Sequence, residues 1–170
     1  MNPRTEMIFI REVALQSQIA LRAADRLPKE TSGLDKLEVW VSIQSILVAT
    51  ANISKILLPQ SKDHKSRGDH LRKILAIDDD NVLLDRRFRN HFEHYDERIE
   101  SWFDPPKSAV YTDLVIDPFM SSRKFFPQFY HRGYNPVDRT VTFRGQHINL
   151  NAAILALEEL LEKCEPYNQI

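Results

Sequence analysis

The chain has 170 residues, 42% of them hydrophobic, and its formal net charge is -1. This length is enough for one well-buried core and too short for two, so we expect a single domain, 1–170. The near-neutral charge excludes a protein that attracts nucleic acid through a global basic field, so any RNA site must be a local patch. The one cysteine, Cys164, excludes an internal disulfide and fits the reducing cytoplasm, and we expect it to be a packing residue.

Two long amphipathic helices are predicted in the first third of the chain. The first spans 7–27 and ends before Pro28, and the second spans 34–58 and ends before Pro59. The most apolar window of the second helix is interrupted by polar residues. We therefore expect a helix buried in the core, and not one that spans a membrane or a protein that binds one. The N-terminal segment lacks a basic stretch followed by an apolar run, and we expect no signal peptide.

A polar and basic segment follows at 60–68, which we interpret as a mobile loop. The alternative is a contact with an RNA backbone through its basic side chains, Lys62, Lys65 and Arg67. A short helix is then expected from Asp69 to Leu75 or Ile77. The acidic run 78–80 is interpreted as a helix cap and not as a metal site, because a contiguous run does not by itself build a coordination shell.

The strongest pattern in the chain spans 82–103. Apolar residues recur there in steps of three and four, which predicts one continuous helix with a single buried stripe. The stripe consists of Leu84, Phe88, Phe92, Tyr95, Ile99 and Trp102. The opposite face is polar and carries Arg86, Arg89, Asn90, Glu93, His94 and Glu97. Four arginines in this segment, Arg86, Arg87, Arg89 and Arg98, are the candidate basic patch.

Arg89 and His94 are the candidate functional pair on this helix. At about 100° per residue they lie about 140° apart, so they flank the polar face and could line a groove against a second surface. Histidine can act as acid or base at cellular pH, and arginine offers a forked donor to phosphate oxygens. The alternative is a solvated face on which Arg89 and Glu93 form an ordinary ion pair.

The sequence Arg89-Asn90-x-x-x-His94, inside the third long predicted helix of a small helical domain, resembles the signature of the HEPN superfamily. Many members of that superfamily are metal-independent ribonucleases that work as dimers, and others are non-catalytic interaction modules. The resemblance implies that His94 is the general acid/base, that Arg89 holds the phosphate and that Asn90 orients substrate or partner groups. The substrate-binding candidates beside them are Arg86, Glu93 and Asp96.

Cleavage of RNA without a metal requires two proton transfers, and one copy of the pair supplies one histidine. A two-fold homodimer that brings both copies into one cleft would supply the second. The resemblance therefore implies an endoribonuclease that binds RNA and needs no cofactor, and it suggests the role of a toxin or phage-defence effector with an antitoxin or other partner protein. Two alternatives remain: a non-catalytic HEPN-like dimerisation or interaction module, and a cleft for a nucleotide or small ligand.

A metal site is a further alternative in the same segment. His91 and His94 are three residues apart and could share a metal ion, with a third ligand from Glu97 or His131. Nothing in the spacing requires this, and we predict no metal.

After Phe103 the helical pattern ends, and 105–147 is predicted to be a small insertion of loop and short strands, with alternation at 110–116 and 140–143. Its interleaved aromatic and basic residues are interpreted as pinning the insertion to the helices, with base stacking as the alternative. A last helix is expected over 152–164, capped by Asn149 or Asn151. The predicted fold is therefore an all-α, HEPN-like antiparallel bundle of four to five helices with a small β/loop insertion before the last helix.

Overall fold

The computed structural model describes residues 1–28, 33–85, 87, 90, 94–104, 111–119 and 130–167. Two helices of 22 residues form its N-terminal part, α1 (Pro3–Ala24) and α2 (Lys36–Leu57). Each begins at a short polar residue whose side-chain oxygen accepts hydrogen bonds from backbone amides of the first turn, Asn2 for α1 and Asp35 for α2. The two predicted N-terminal helices are thus confirmed, with small shifts at their ends.

Helix α2 is the most apolar helix of the fold. By length and composition it could cross a membrane, with a mean hydropathy of 1.3 in its best window, but 61% of that window is buried inside the protein. Its buried side chains include Ile43, Ile46 and Leu47, none of them exposed. This is the pattern of a core helix and is consistent with a soluble protein, as predicted.

The segment after α2 is more helical than predicted. A 3-10 helix (Lys62–His64) is capped by the side chain of Ser61 and leads directly into α3 (Lys65–Ile74). The loop predicted over 60–68 is therefore wrong from Lys62 onward. The signal missed was Gly68, where a Cβ would lie 2.5 Å from Pro59 Cδ and 2.7 Å from the Leu57 carbonyl oxygen, so glycine lets α3 pack closely against the end of α2.

The continuous helix predicted over 82–103 is wrong. The chain forms a 3-10 helix (Val82–Leu84), turns at Asp85 with φ -64° and ψ 116°, and is broken again at His94 with φ -123° and ψ 31° before α4 (Tyr95–Glu100). The Asp85 carboxylate accepts a hydrogen bond from the Arg87 amide at 2.8 Å, so this side chain competes with helical hydrogen bonding. Residues 86, 88, 89 and 91–93 lie outside the described residues.

Because of this break, the residues of the predicted apolar stripe differ in burial. Leu84 and Trp102 are buried as predicted. Tyr95, predicted to be a core residue, is 52% exposed, and it follows the non-helical backbone of His94. Ile99 is half-buried, and Phe88 and Phe92 lie outside the described residues.

A four-stranded mixed sheet corrects the predicted fold class. It contains β1 (Val115–Ile116), β2 (Arg132–Asn135), β3 (Thr140–Phe143) and β4 (Gln146–Asn149) in that order, with β1 parallel to β2 and the other neighbours antiparallel. The protein is about 61% helical and is not an all-α bundle. The strand predicted at 140–143 is confirmed, whereas of the strand predicted over 110–116 only β1 forms among the described residues.

The sheet belongs to the core, which is why an all-α assignment fails. Helix α5 (Leu150–Cys164) follows β4 directly, and the Asn149 side chain accepts a hydrogen bond from the Ala152 amide at 3.2 Å, so Asn149 is the cap. Helices α1, α2 and α5 contribute to two apolar clusters. The sheet covers one cluster through Tyr134, Val141, Phe143 and Ile148, and α3 covers the other.

Candidate active-site groove

A groove of about 450 Å³ runs along α4 and contains part of the predicted motif. It is lined by Asn90, His94, Glu97, Arg98 and Ser101. Two of the three predicted catalytic residues, Asn90 and His94, therefore meet at one groove. The third, Arg89, lies outside the described residues, as do the predicted substrate-binding residues Arg86 and Glu93. The remaining candidate, Asp96, is exposed on α4 and does not line this groove.

His94 is placed at the groove by the break in the helix. It occupies the position before the first turn of α4, and its side chain is 53% exposed. The carboxylate of Glu97 lies 3.4 Å from Nδ1 of the imidazole, a long hydrogen bond. A carboxylate at Nδ1 favours the tautomer that carries its proton there, which leaves Nε2 as the nitrogen that can exchange a proton with a substrate.

Arg98 forms the partly buried part of the groove wall. Its Nε is buried and has no hydrogen-bond partner, and its side chain makes no hydrogen bond or ion pair with any described residue. Burial, and then the nearby charge of Arg144, lower the pKa of Arg98, while Glu97 opposes this effect. An arginine remains protonated in proteins, so Arg98 places in the groove a positive charge that forms no ion pair with a described residue.

A second cation reaches the groove from the sheet. Arg144 lies in the two-residue turn between β3 and β4, and its guanidinium donates a hydrogen bond to Ser101 Oγ at 2.5 Å. The same group lies over the Trp102 ring, with Cζ 5.9 Å from the ring centre. Arg144 was not among the residues predicted from the sequence. It could have been noticed because it forms an Arg-Gly pair between two alternating segments, at a turn position where Asn, Asp or Gly is usual.

A buried polar cluster surrounds Trp102, the neighbour of the groove residue Ser101. The Trp102 ring meets the rings of Tyr111 and His131 edge-on, with centroid distances of 5.8 and 5.9 Å. The Tyr111 hydroxyl is 3.3 Å from His131 Nδ1, and the His131 side chain is only 2% exposed. The backbone amide of Arg144 donates to the His131 carbonyl at 3.0 Å, which ties the groove arginine to this cluster.

The charged centre of the cluster is the pair of Asp113 and Arg132. Arg132 donates through Nε at 3.0 Å and through Nη2 at 2.5 Å to the two oxygens of Asp113. Burial alone would raise the pKa of Asp113, but the neighbouring His131 ring and the Arg132 guanidinium together hold that pKa well below its usual range. Asp113 is therefore ionised and anchors the loop that precedes β1.

The predicted pinning role can be checked for two of the aromatic residues between the helices. Tyr134 is fully buried against the helical core, which confirms pinning for this residue. Arg132 lies over the Trp40 ring of α2 at 5.9 Å, a further contact between the sheet and the helices. Phe119 is exposed. Residues 120–129, which contain most of the interleaved aromatics, lie outside the described residues.

Two other predicted features are also resolved. Arg87, counted in the basic patch, is paired with Asp85 at 2.6 Å, and so its charge is locally neutralised. Cys164 is fully buried in the core, and burial raises the pKa of its thiol to about 11, which confirms a packing residue and not a nucleophile.

No group of three or more metal-ligating side chains occurs among the residues described by the structure. His91, half of the two-histidine alternative, lies outside that set. No protein-family model, curated protein or solved structure matches this chain. The motif and the groove that contains two of its residues are therefore the features of the chain that indicate a function.

Proposed function

We propose that the protein is a metal-independent endoribonuclease of the HEPN type. The observation that carries the proposal is the exposed imidazole of His94 in the same groove as Asn90 and the unpaired guanidinium of Arg98. Such a groove combines an imidazole, which can give or accept a proton, with a fixed positive charge and a neutral hydrogen-bonding amide. These are the components that phosphodiester cleavage requires when no metal ion stabilises the transition state.

In the proposed reaction the 2′-oxygen of the substrate attacks the adjacent phosphorus and the bond from phosphorus to the 5′-oxygen breaks. A base accepts the 2′-hydroxyl proton, and an acid delivers a proton to the leaving 5′-oxygen. The products carry a 2′,3′-cyclic phosphate and a 5′-hydroxyl. His94 performs one of the two proton transfers, with its ring oriented by Glu97, and Arg89 and Asn90 hold the phosphate and the ribose.

The second proton transfer is assigned to His94 of a second copy of the chain. Among the described residues that line the groove of one chain, His94 is the single imidazole. A two-fold dimer that places two such grooves together supplies both an acid and a base. The proposed enzyme is therefore a homodimer.

The experiment is cleavage of a mixed RNA pool in the presence of EDTA by the parent and three variants: Arg89→Ala, His94→Ala and His64→Ala. His64 is an exposed histidine in the 3-10 helix after α2 and serves as the matched control. We expect the parent and His64→Ala to cut, and His94→Ala to lose at least about 100-fold in rate, the usual contribution of a general acid/base. Equal cutting by all variants would contradict the assignment of the site.

A second candidate function, a non-catalytic HEPN-like module that dimerises, is favoured by a separate observation. A groove of about 500 Å³ between α1 and α2 is lined by uncharged residues. Exposed apolar side chains extend this face on both helices: Ile8, Leu15, Ile19, Leu37, Val41 and Val48. A surface depleted of charge at its centre is typical of the core of a homodimer interface, so the proposed occupant is a second copy of the chain.

This candidate is tested by the mass of the protein in solution. Val48→Glu places a charge in the centre of the α1–α2 face and is expected to shift a dimer to a monomer in analytical ultracentrifugation. Leu155→Glu, at an exposed position on α5, is the control and should leave the mass unchanged. A folded dimer that cuts no RNA would favour the module over the enzyme, and a dimer that is unaffected by Val48→Glu would exclude this face as the interface.

The proposed biological setting is the cytoplasm, as an RNA-cutting toxin or phage-defence effector that is held inactive by an antitoxin or other partner protein. The exposed site and the buried, unpaired Cys164 are compatible with that setting. Expression in a bacterial host would test it. The parent is expected to arrest growth and His94→Ala to permit it, whereas equal growth of both strains at matched protein levels would argue against a toxin.

A further inference from the structure

Ser101 at the groove contacts two arginines from different parts of the chain, one through that arginine's backbone and the other through its side chain. Arg98 belongs to α4, and Arg144 belongs to the turn between β3 and β4. The Ser101 hydroxyl donates a hydrogen bond to the Arg98 carbonyl at 3.2 Å and accepts one from Arg144 Nη1 at 2.5 Å. The serine thus fixes the position of one guanidinium beside the helix that carries the other.

No described carboxylate forms an ion pair with Arg98 or Arg144. Glu97, the acidic side chain among the described residues that line the groove, lies against His94 and its charge also acts on Arg98. The lowered pKa of Arg98 has burial as its main cause and repulsion by Arg144 as its second, and Glu97 opposes both. Two guanidinium groups beside one carboxylate leave the site with a net positive charge, which favours the binding of an anion.

The backbone conformation of Arg144 is also unusual for an arginine. Its φ is 46° and that of Gly145 is 83°, so both residues of the turn lie in the left-handed region that a type I′ hairpin turn requires. Glycine suits such a position, while a long side chain there is disfavoured by sterics. The described interactions that hold this arginine in place are the guanidinium contacts with Ser101 and Trp102 and the hydrogen bond from its backbone amide to the His131 carbonyl.

We propose that Arg98, Ser101 and Arg144 form a phosphate-binding site that holds a phosphodiester group of a single-stranded nucleic acid beside His94. Arginine is suited to this role because its planar fork can donate two parallel hydrogen bonds to phosphate oxygens. The assignment deepens the proposed ribonuclease function, since a backbone phosphate held at this site orients the strand relative to the imidazole. Anion binding at the site is nevertheless independent of cleavage and can be measured without it.

The test is fluorescence anisotropy with a labelled single-stranded oligodeoxynucleotide, which lacks the 2′-hydroxyl and so cannot be cut. The variants are Arg98→Gln, Arg144→Asn and, as the matched control, Arg26→Gln, at an exposed position just after α1. Asparagine is favoured in a type I′ turn, so Arg144→Asn removes the guanidinium while preserving the hairpin. We expect Arg98→Gln and Arg144→Asn to weaken binding about tenfold each and to reduce its salt dependence by about one charge. Inorganic phosphate should displace the parent-bound oligomer at lower concentration than chloride does.

The outcomes separate this proposal from the ribonuclease itself. Unchanged binding by both folded variants, relative to Arg26→Gln, would overturn the phosphate site even if the parent cuts RNA. Weakened binding by both variants, together with no RNA cleavage by the parent, would support the site and overturn the ribonuclease. Binding of inorganic phosphate, detected by amide shifts at Ser101, without any binding of the oligomer would overturn the assignment to a nucleic acid strand.

Discussion

The helical half of the molecule and the half that contains the sheet and α4 bury polar groups in different ways. In α1 and α2 the buried hydroxyls of Ser17 and Thr50 donate to carbonyls four residues earlier, at 2.9 and 2.8 Å, so these two hydroxyls are satisfied within their own helices. In the other half, the Asp113 carboxylate and Nδ1 of His131 are paired with residues distant in the chain. The first half is therefore a scaffold with local polar contacts, whereas long-range contacts join the sheet to the helix that lines the groove.

The first prediction concerns the scaffold. Leu47→Ala removes a fully buried side chain of α2 and is expected to lower the free energy of unfolding by about 3 kcal/mol, through lost burial and the cavity that remains. Urea unfolding followed by circular dichroism measures the change. RNA cleavage per folded molecule should be unaffected, because Leu47 does not reach the groove. A loss of cleavage in the fully folded variant would show that the two halves are coupled.

The second prediction concerns the junction of α2 and α3. Gly68→Ala introduces a Cβ that meets the Leu57 carbonyl oxygen at 2.7 Å, so the backbone must shift. We expect a loss of about 2 kcal/mol in unfolding free energy from this overpacking, despite the higher helix propensity of alanine. Gly33→Ala is a poor control because Gly33 has a positive φ, whereas Ser66→Ala, at an exposed position in α3, should be close to neutral.

The third prediction uses pH to identify the contribution of the Asp113–Arg132 pair. Asp113→Asn should lower the unfolding free energy at pH 7 by about 1.5 kcal/mol, the scale of hydrogen bonds to a charged group. Because the pKa of Asp113 is lower in the folded protein than in the unfolded chain, the pair stabilises the fold above about pH 4 and loses this effect as the pH falls further.

The check is a series of thermal melts of the parent and Asp113→Asn from pH 7 to pH 3. The difference in melting temperature between the two proteins is expected to shrink below about pH 4. A difference that stays constant, or that grows as the pH falls, would show that Asp113 is not stabilised as a carboxylate.

The smallest stability effect is expected at the groove itself. Arg144→Asn replaces a residue held at φ 46° by one that the turn favours, and so the unfolding free energy should change by no more than about 0.5 kcal/mol. Nucleic acid binding should nevertheless weaken. A stable variant with weakened binding would show that Arg144 contributes to binding and not to stability, unlike Leu47 in the scaffold. A variant that unfolds at 25 °C would show that Arg144 is primarily structural.

The elements that could be predicted from the sequence are those with local causes. The apolar periodicity of α1, α2 and α5 and the Asn149 cap depend on neighbours within one or two turns, and all of them are confirmed. The alternation at Thr140–Phe143 likewise predicted β3. The same periodicity failed at 82–103, because the competing hydrogen bonds of Asp85 and the break at His94 have no signature in the spacing of apolar residues.

The candidate site was predictable only in part. The motif drew attention to Asn90 and His94, and the structure places both at one groove. Ser101 and Arg144 were missed because their meeting depends on how the β3–β4 turn lies against α4, a tertiary contact with no local sequence cause. The role of the sheet in the core was missed for the same reason. From the sequence alone, Tyr134 cannot be distinguished from the other aromatic residues of this irregular segment, and only its contacts with the helical core show its role.

The most direct test of the central claim uses a DNA oligomer that contains a single ribonucleotide, incubated in EDTA with the parent, with His94→Ala and with His64→Ala. If the protein is a metal-independent endoribonuclease, the parent and His64→Ala are expected to cut only at the 3′ side of that ribonucleotide. Mass spectrometry should then show a 2′,3′-cyclic phosphate on one product and a 5′-hydroxyl on the other, and His94→Ala should leave the oligomer intact. Cutting at deoxynucleotides as well would contradict attack by the 2′-hydroxyl, and equal cutting by folded His94→Ala would contradict the catalytic role of His94.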